Sequence, residues 1–283
     1  MSAAADIARF PLQTVGVGGG RVVGYRAAGP AGAPAVVCLH GIGSNAAGYR
    51  HVLAGLSDAH RVVAWDAPGY GGSTPLAVAE PDAEPYAEAL AAFADALGLD
   101  RFHLVGSSFG GALAAAFAAL RPDRLLSLTL CAPSAGYAGA DPARRAAQLR
   151  MRIEDITTLG PAGVGAKRAH VLVAPGTDPA VVAEAQGLVA AATTGGYIQA
   201  AHMLDRTDLL ALAPAIRTPT LVLCGTADRV TPVADHAARV HRAIPGAHLV
   251  VLAGVGHMIK LEAPDALVAR LRAHAAAAAA AAG

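Results

Sequence analysis

Short apolar segments alternate with helix-length segments rich in Ala and Leu along much of the chain. The short segments include AVVCL, RVVAWD, RFHLVG and LLSLTLC, and they are continuously apolar instead of alternating between apolar and polar positions. Continuous apolar strands between helical segments are typical of a parallel sheet covered by helices on both faces. Two earlier segments, FPLQTV and RVVGYRA, are separated by GVGGG and predict an antiparallel hairpin at one edge. We therefore predict an α/β fold with a mostly parallel, doubly wound sheet.

The alternation of strands and helices stops after LTLCAPS and restarts at TPTLVLCG. Between these two strands, residues 134–217 have the pattern of helices and loops, which indicates an insertion. The carboxyl ends of parallel strands form a crevice for ligands. We therefore predict that residues 134–217 form a helical cap over this edge and that residues 1–133 and 218–272 form the core. The Ala-rich residues 273–283 predict a frayed helix end or a disordered tail.

The composition narrows the environment and the partners of the protein. At 283 residues, the chain is long enough for one large domain with an insertion. Its hydrophobic fraction of 54% is mainly Ala, and no window is apolar enough for a membrane span. The first residues lack a basic start followed by an apolar stretch, which favours the cytoplasm. Because 22 Lys and Arg residues balance 21 Asp and Glu residues, we expect no nucleic-acid partner.

The three cysteines, Cys38, Cys131 and Cys224, lie far apart in apolar, strand-like segments without a CxxC pair. This spacing disfavours a metal site and a disulfide framework and favours buried free thiols. The GVGGG cluster lacks the third Gly and the following helix of a dinucleotide-binding fingerprint. We therefore expect neither a metal ion nor an organic cofactor.

A candidate nucleophile lies in HLVGSSFGGALAAAFAAL, where a strand-like segment meets a helix-like one. Gly106 and Gly110 flank Ser108 at positions −2 and +2. A strained strand-to-helix turn requires small residues there, because larger side chains would clash. Ser107 has larger residues at both positions, so Ser108 is the candidate. Taken alone, the segment also fits a tight turn between packed elements, where Gly and Ser are common.

A serine hydroxyl needs a base that takes its proton and a third group that orients the base. In α/β sheets with such a turn, the acid and then the histidine follow the serine along the chain. Asp228 follows the strand TLVLCG and His257 follows the strand HLVVLAG, so both lie at carboxyl ends of predicted strands. Alternatively, Asp228 caps the next helix and His257 has a structural role. Chain order and placement together favour a triad of Ser108, His257 and Asp228.

Acyl transfer also develops negative charge on the substrate oxygen, which N–H donors must stabilise. The segment CLHGIGS follows the strand AVVCL, and its glycines let the backbone turn inward. We assign the backbone N–H groups of Ile42 and Phe109 to an oxyanion hole. The alternative is a glycine-rich strand exit without function.

Five motifs, HGIGS, DAPGYGGS, GSSFGG, GTADRVTP and GHMIKLEAP, resemble those of the α/β-hydrolase superfamily in order and spacing. The resemblance covers nearly the whole chain outside the predicted cap and tail. It is greatest to the cap-bearing serine esterases and lactonases, including enol-lactonases. Haloalkane dehalogenases and epoxide hydrolases of this fold have Asp at the turn, where this chain has Ser108. In the family, DAPGYGGS is a structural turn, so the resemblance implies no catalytic role for Asp66.

The resemblance implies a serine hydrolase that cleaves a carboxylic ester or lactone of a small molecule through an acyl-enzyme. One alternative is a carbon–carbon bond hydrolase of the meta-cleavage type. Those enzymes typically have Asn before the serine and Trp after the histidine, where this chain has Ser107 and Met258. A second alternative is a binding protein that retains the fold without catalysis.

The predicted cap offers few indications of the substrate. Tyr197, His202 and Met203 are candidate substrate-binding residues. The basic stretch Ala143–Arg152 could place an Arg in the crevice, where it would bind a substrate carboxylate. Such stretches are more often solvated faces of helices. The sequence thus predicts a small-molecule substrate and does not predict an oligomeric state.

Overall fold

The structure, a computed structural model, describes residues 7–282. Residues 1–6 and Gly283, which belong to the predicted core and tail, lie outside the described residues. Within residues 7–282, eight strands form one sheet in the order β1-β2-β4-β3-β5-β6-β7-β8. The strands are β1 Gln13–Gly16, β2 Val22–Ala28, β3 Ala35–Leu39, β4 Arg61–Trp65, β5 Phe102–Ser107, β6 Leu125–Cys131, β7 Thr220–Gly225 and β8 His248–Leu252.

The sheet is parallel from β4 to β8 in this order, and the pairs β1–β2 and β2–β4 are antiparallel. The prediction of a mostly parallel α/β sheet with an antiparallel hairpin at one edge is therefore confirmed. The reason for the continuous apolar strands is visible in β3. Val37 and Leu39 pack into one hydrophobic cluster, and Val36 and Cys38 pack into another. Successive side chains enter opposite faces, and both faces are covered.

Helices flank the sheet, and several of them follow one another in the chain between β6 and β7. They are α1 Arg50–Leu56, α2 Ala83–Ala96, α3 Phe109–Leu120, α4 Pro142–Leu172, α5 Pro179–Ala190, α6 Thr194–Arg206, α7 Leu209–Leu212, α8 Ala237–Ala243, α9 Ile259–Glu262 and α10 Pro264–Ala282. The last helix, α10, contains the Ala-rich residues up to 282. Within residues 7–282, no helix has both the length and the apolar character that a membrane crossing needs.

Between β6 and β7 the chain forms α4, α5, α6 and α7 with connecting turns. α4 is broken at Gly160, whose φ of 64° and ψ of 173° are not helical, and Pro161 begins its second half. Pro is tolerated in the first turn of a helix because the N–H there has no helical partner. We refer to residues 134–217 as the cap segment, and its assignment as a separate cap stays a prediction.

The cap segment contacts the loop after β4 closely. A Cβ at Gly196 in α6 would lie 2.5 Å from the carbonyl oxygen of Gly69, so this approach requires glycine. The side-chain amide of Gln199 donates to the carbonyl oxygens of Leu76 and Val78, at 2.9 and 2.8 Å. These contacts hold α6 against the core.

The three cysteines are buried free thiols, as predicted. Burial raises the pKa of Cys131 to about 12 and that of Cys224 to about 11. Both thiols therefore stay protonated at neutral pH and are poor nucleophiles.

Two buried histidines make the stability of the fold sensitive to acid. Burial lowers the pKa of His40 from 6.5 to about 3 and the pKa of His103 from 6.5 to about 4. Below pH 6.5, the unfolded chain therefore binds more protons than the folded chain, and stability falls as the pH falls. We expect these two histidines to leave the free energy of unfolding unchanged above about pH 7 and to lower it by several kcal/mol between about pH 6.5 and 4.

Urea unfolding followed by circular dichroism at a series of pH values measures this loss. The His103→Gln variant is the control, because an amide does not titrate in this range. It keeps a polar group beside the Ser127 hydroxyl, which lies 2.8 Å from His103 Nδ1. The variant should lose less stability on acidification than the wild type. Equal losses in the two proteins would show that His103 does not contribute.

Candidate active site

Ser108 lies in a strained turn between β5 and α3. Its φ of 55° and ψ of −113° are rare for a residue other than glycine. The surrounding backbone holds this conformation: the Ser108 N–H donates to the carbonyl oxygen of Cys131 in β6, at 3.0 Å. The Ser108 carbonyl oxygen accepts from the N–H groups of Gly111 and Ala112 in the first turn of α3, at 2.9 and 3.1 Å. Strain retained at one polar residue is typical of a functional position.

The two glycines beside Ser108 are required by close backbone contacts. A Cβ at Gly106 would lie 2.2 Å from the carbonyl oxygen of Gly110. A Cβ at Gly110 would lie 2.3 Å from the carbonyl oxygen of Leu39, at the end of β3. Both distances are far below van der Waals contact. The small residues at positions −2 and +2 therefore let α3 start directly against two strands.

Asp228 and His257 are joined by a hydrogen bond between Asp228 Oδ2 and His257 Nδ1, at 2.9 Å. Asp228 lies in the loop after β7, and His257 lies in the loop after β8. The other Asp228 oxygen accepts from the N–H groups of Val230 and Thr231, at 2.8 and 2.9 Å. The Thr231 hydroxyl donates to Oδ2, at 2.8 Å. These bonds fix the carboxylate and, through it, the imidazole ring.

The protonation state of this pair follows from the same contacts. Burial alone would raise the pKa of Asp228. The hydrogen bond and charge of His257 and the hydrogen bonds from Thr231 outweigh this effect and lower the pKa to about 2. Asp228 is therefore ionised at neutral pH. An ionised carboxylate only accepts hydrogen bonds, so Nδ1 of His257 carries a proton, and in the neutral ring Nε2 has the free lone pair. A histidine in this tautomer can act as a base at Nε2.

Ser108 and His257 line the same cavity. Both side chains are nearly buried, with exposed fractions of 7% for Ser108 and 4% for His257. Asp228 does not line the cavity, since its side chain is fully covered behind His257. The structure thus brings together the three residues that the sequence predicts as a triad, and their catalytic roles stay a prediction.

The loop that carries the predicted oxyanion donor Ile42 is held by two aromatic side chains. His40 Nδ1 donates to the carbonyl oxygen of Gly41 at 2.8 Å, and its Nε2 accepts from the Ala67 N–H at 3.0 Å. The Tyr70 hydroxyl donates to the carbonyl oxygen of Ile42 at 2.8 Å. Sequence reasoning missed His40 and Tyr70, although each lies inside a quoted motif, HGIGS or DAPGYGGS.

The two predicted oxyanion donors lie close to the nucleophile candidate. A Cβ at Gly41 would lie 3.3 Å from Ser108 Cβ, so the backbone before Ile42 passes directly against Ser108. Phe109 is the first residue of α3, and the first N–H groups of a helix have no partner within the helix. Its side chain packs away from the cavity, with its ring 5.3 Å from the ring of Tyr86.

Glu262 is a further positioning residue that sequence reasoning missed. Its carboxylate accepts from the N–H groups of Gly256 and Met258, at 3.0 and 3.2 Å, which are the neighbours of His257 in the chain. It also accepts from the Ala174 N–H at 2.8 Å, just after the end of α4. Glu262 therefore holds the His257 loop and ties it to the cap segment. The sequence signal that could have indicated Glu262 is its position in the motif GHMIKLEAP, which also contains His257.

The candidate substrate-binding residues of the cap segment lie in different places. Tyr197, near the start of α6, lines the cavity with Ser108. Met203 packs into the main hydrophobic cluster, and neither Met203 nor His202 is among the residues described as lining the cavity. Three cationic residues that were not among these candidates line the cavity, namely Arg152, Arg168 and Lys260. In the described part of the chain, no group of His, Cys, Asp and Glu side chains is arranged to hold a metal ion.

Comparison with known proteins supports the resemblance seen in the sequence. A family model for the alpha/beta hydrolase fold matches residues 34–264. The dihydrolipoyllysine-residue acetyltransferase component of the acetoin cleaving system of Cupriavidus necator is 32% identical over 254 residues, which are 86% of this chain and 64% of that protein. The chain thus spans less than two thirds of this curated relative.

Two other comparisons cover more than four fifths of both partners. A 2-hydroxy-6-oxononadienedioate/2-hydroxy-6-oxononatrienedioate hydrolase of Cupriavidus pinatubonensis is 31% identical over 248 residues, 82% of this chain and 83% of that protein. A thermophilic esterase from Thermogutta terrifontis, solved with malate bound, superposes with a TM-score of 0.83 at 25% identity, covering 95% of this chain and 99% of that chain. Because the family match spans residues 34–264, and with them every strand from β3 to β8, the chain belongs to the alpha/beta hydrolase fold family.

Proposed function

We propose that this protein is a serine hydrolase that cleaves a carboxylic ester or lactone of a small molecule through an acyl-enzyme. The observation that carries the proposal is the 2.9 Å hydrogen bond from His257 Nδ1 to the ionised Asp228, together with the cavity that His257 shares with Ser108. A nucleophile, a base and an acid in this arrangement serve acyl transfer. Binding alone gives no physical reason for them.

In the first step, the Ser108 hydroxyl attacks the substrate carbonyl carbon and His257 Nε2 accepts its proton. Asp228 stabilises the imidazolium that forms and keeps the ring in the orientation that the Thr231 contacts support. The backbone N–H groups of Ile42 and Phe109 stabilise the negative oxygen of the tetrahedral intermediate. His257 then gives the proton to the leaving alkoxide, which departs as the alcohol.

In the second step, His257 takes a proton from a water molecule, which attacks the acyl-enzyme carbonyl. The same N–H groups stabilise the second tetrahedral intermediate, and collapse of this intermediate returns the proton to Ser108 and releases the acid. In a lactone, the alcohol and the acid belong to one molecule, so both leave together. The covered cavity favours these steps, since a low dielectric strengthens the interaction between N–H donors and a developing oxyanion.

The relatives support two versions of this chemistry. The Thermogutta terrifontis esterase, which matches nearly the whole chain, supports ester cleavage. The Cupriavidus pinatubonensis hydrolase supports carbon–carbon bond cleavage as the second candidate. Ser107 and Met258, where the carbon–carbon bond hydrolases typically have Asn and Trp, lower the weight of this second candidate. We therefore place ester or lactone cleavage first.

A stopped-flow assay with p-nitrophenyl butyrate tests the proposal. The wild type should release a burst of p-nitrophenol equal to the enzyme concentration and then turn over steadily, because the acyl-enzyme accumulates. The Ser108→Ala variant should show no burst. The Ser107→Ala variant is the matched control, since Ser107 is the adjacent serine at the end of β5, and it should keep the burst.

Labelling with a fluorophosphonate completes the test. An activated Ser108 should form a covalent adduct that mass spectrometry locates on its peptide. Absence of both the burst and the adduct would contradict the proposal and favour a binding protein with this fold. Turnover of a ring-cleavage dienoate without turnover of esters would assign the carbon–carbon bond reaction instead.

A further inference from the structure

The cavity that contains Ser108 and His257 has an unbalanced charge. Arg152, Arg168 and Lys260 line it, and the residues described as lining it include no Asp or Glu. The nearby carboxylate of Asp228 is covered and already accepts four hydrogen bonds from His257, Val230 and Thr231. The positive charge of the cavity is therefore not neutralised by the side chains that form its wall.

Lys260 is the most deeply buried of the three cations, with an exposed fraction of 3%. Its Nζ donates to the Ser44 hydroxyl at 3.1 Å and lies 4.8 Å from the centre of the Tyr49 ring. Among residues 7–282, no carboxylate forms an ion pair with it. Burial of an ammonium without a counter-ion is unfavourable, and this appears here as a pKa of Lys260 that burial lowers to about 8. Lys260 is thus still mostly charged at neutral pH.

Arg152 and Arg168 reach the cavity because α4 is broken. They are separated by 16 positions, which would place them about 24 Å apart on a straight helix. The break at Gly160 lies between them and changes the direction of the chain, so both side chains line one cavity. Arg152 is buried and donates to the Tyr137 hydroxyl at 2.8 Å, with its guanidinium 4.8 Å from the centre of the Tyr137 ring.

Another arginine of α4, Arg145, has a structural role because it is paired with a carboxylate. Arg145 forms a bidentate ion pair with Asp205 of α6, at 2.8 and 2.7 Å. Within the described residues, Arg152 and Arg168 have no such carboxylate partner. A guanidinium presents a planar pair of N–H donors that matches a carboxylate. Arg168 therefore has N–H donors without a carboxylate partner among residues 7–282, and Arg152 has those that its hydrogen bond to Tyr137 leaves over.

We propose that the substrate is an ester or lactone that also carries a carboxylate, which Arg152 and Arg168 bind from the cap segment while Lys260 adds positive charge from α9. This inference rests on the proposed function for the reaction and adds the class of substrate. Binding of the anion would supply the counter-charge that the cavity wall lacks. Neutral esters of the same shape would leave the three cations uncompensated in a covered cavity, which is unfavourable.

Two esters of matched shape measure the preference. In p-nitrophenyl hydrogen adipate the acyl chain ends in a carboxylate, and in p-nitrophenyl 6-methylheptanoate it ends in an isopropyl group of the same shape. We expect the wild-type kcat/KM to be higher for the anionic ester by about 10-fold or more. The Arg168→Gln variant should lower this ratio by about 10-fold or more. The matched control is Arg150→Gln, an exposed arginine of α4 outside the cavity, which should keep the ratio.

Calorimetry with adipate gives a readout that does not depend on turnover. The Ser108→Ala variant should bind adipate, and addition of Arg168→Gln should weaken binding by about 10-fold or more. If the wild type shows a burst but hydrolyses both esters equally, the inference is overturned and the proposed function stands. If neither ester reacts and Ser108 is not labelled, the proposed function fails, and adipate binding alone decides the carboxylate site. Absence of binding at about 10 mM adipate would then overturn it.

Discussion

Replacement of His257 by glutamine is expected to lower kcat for p-nitrophenyl butyrate by about 10⁵- to 10⁶-fold. Glutamine keeps a polar side chain of similar size, but its amide cannot take the proton from Ser108. The hydroxyl then attacks without a base, which makes it a weak nucleophile. The ionised Asp228 also loses the imidazole N–H that lies 2.9 Å from its Oδ2. The variant therefore removes both the base for Ser108 and the hydrogen-bond donor to Asp228.

Asp228→Asn is expected to have a smaller effect, about 10⁴-fold in kcat, because the histidine remains but loses its preferred tautomer. Steady-state kinetics with the three proteins should give kcat values that decrease from the wild type to Asp228→Asn and then to His257→Gln. His202→Gln is the matched control, since His202 is a nearly buried histidine of α6 that is not described as lining the cavity. Its kcat should stay within about 10-fold of the wild type. A His257→Gln variant with near wild-type kcat would remove His257 from the mechanism.

Replacement of Gly110 by alanine is expected to destabilise the fold strongly. The added Cβ would lie 2.3 Å from the carbonyl oxygen of Leu39 and 2.6 Å from that of His40. Both contacts are with backbone atoms, which cannot rotate away as a side chain can. Either α3 or the end of β3 must move, and overpacking of this kind costs about 4 kcal/mol or more when backbone must shift. The melting temperature should fall by about 10 °C or more.

Thermal unfolding followed by circular dichroism measures this effect. Gly187→Ala is the matched control, because a Cβ at Gly187 in α5 would meet no atom within 4 Å. Alanine is also the better helix former, so this control should keep or slightly raise the melting temperature. An unchanged melting temperature in Gly110→Ala would contradict the contact argument. The comparison separates the steric demand of the Ser108 turn from the general effect of replacing glycine in a helix.

The sheet could be predicted from the sequence because burial on both faces leaves a local record. In β3, β5 and β7 every residue is buried, so each strand is a short, mostly apolar segment that can be recognised without the rest of the chain. The glycines around Ser108 leave a similar record, since the turn excludes any Cβ at Gly106 and Gly110. Chain order then indicated Asp228 and His257 by their positions after two strands.

The wall of the cavity could not be predicted in this way, because it depends on contacts between distant parts of the chain. Lys260 contacts Ser44, which is 216 positions away in the chain, and Tyr70 contacts Ile42, which is 28 positions away. The orientation of α6 likewise decides that Tyr197 lines the cavity while Met203 packs into the core. Neither propensity nor periodicity contains this information.

By itself, then, the sequence determined the α/β class, the helical segments between β6 and β7, and the chain order of a serine, an acid and a histidine. These depend on local patterns of burial and on the size of single residues. Only the tertiary structure decided which charges share the cavity. The break of α4 at Gly160 places Arg152 and Arg168 at one site, and the packing of α9 buries Lys260 beside them without a carboxylate. Electrostatic complementarity is a property of distances in space, which sequence spacing does not fix.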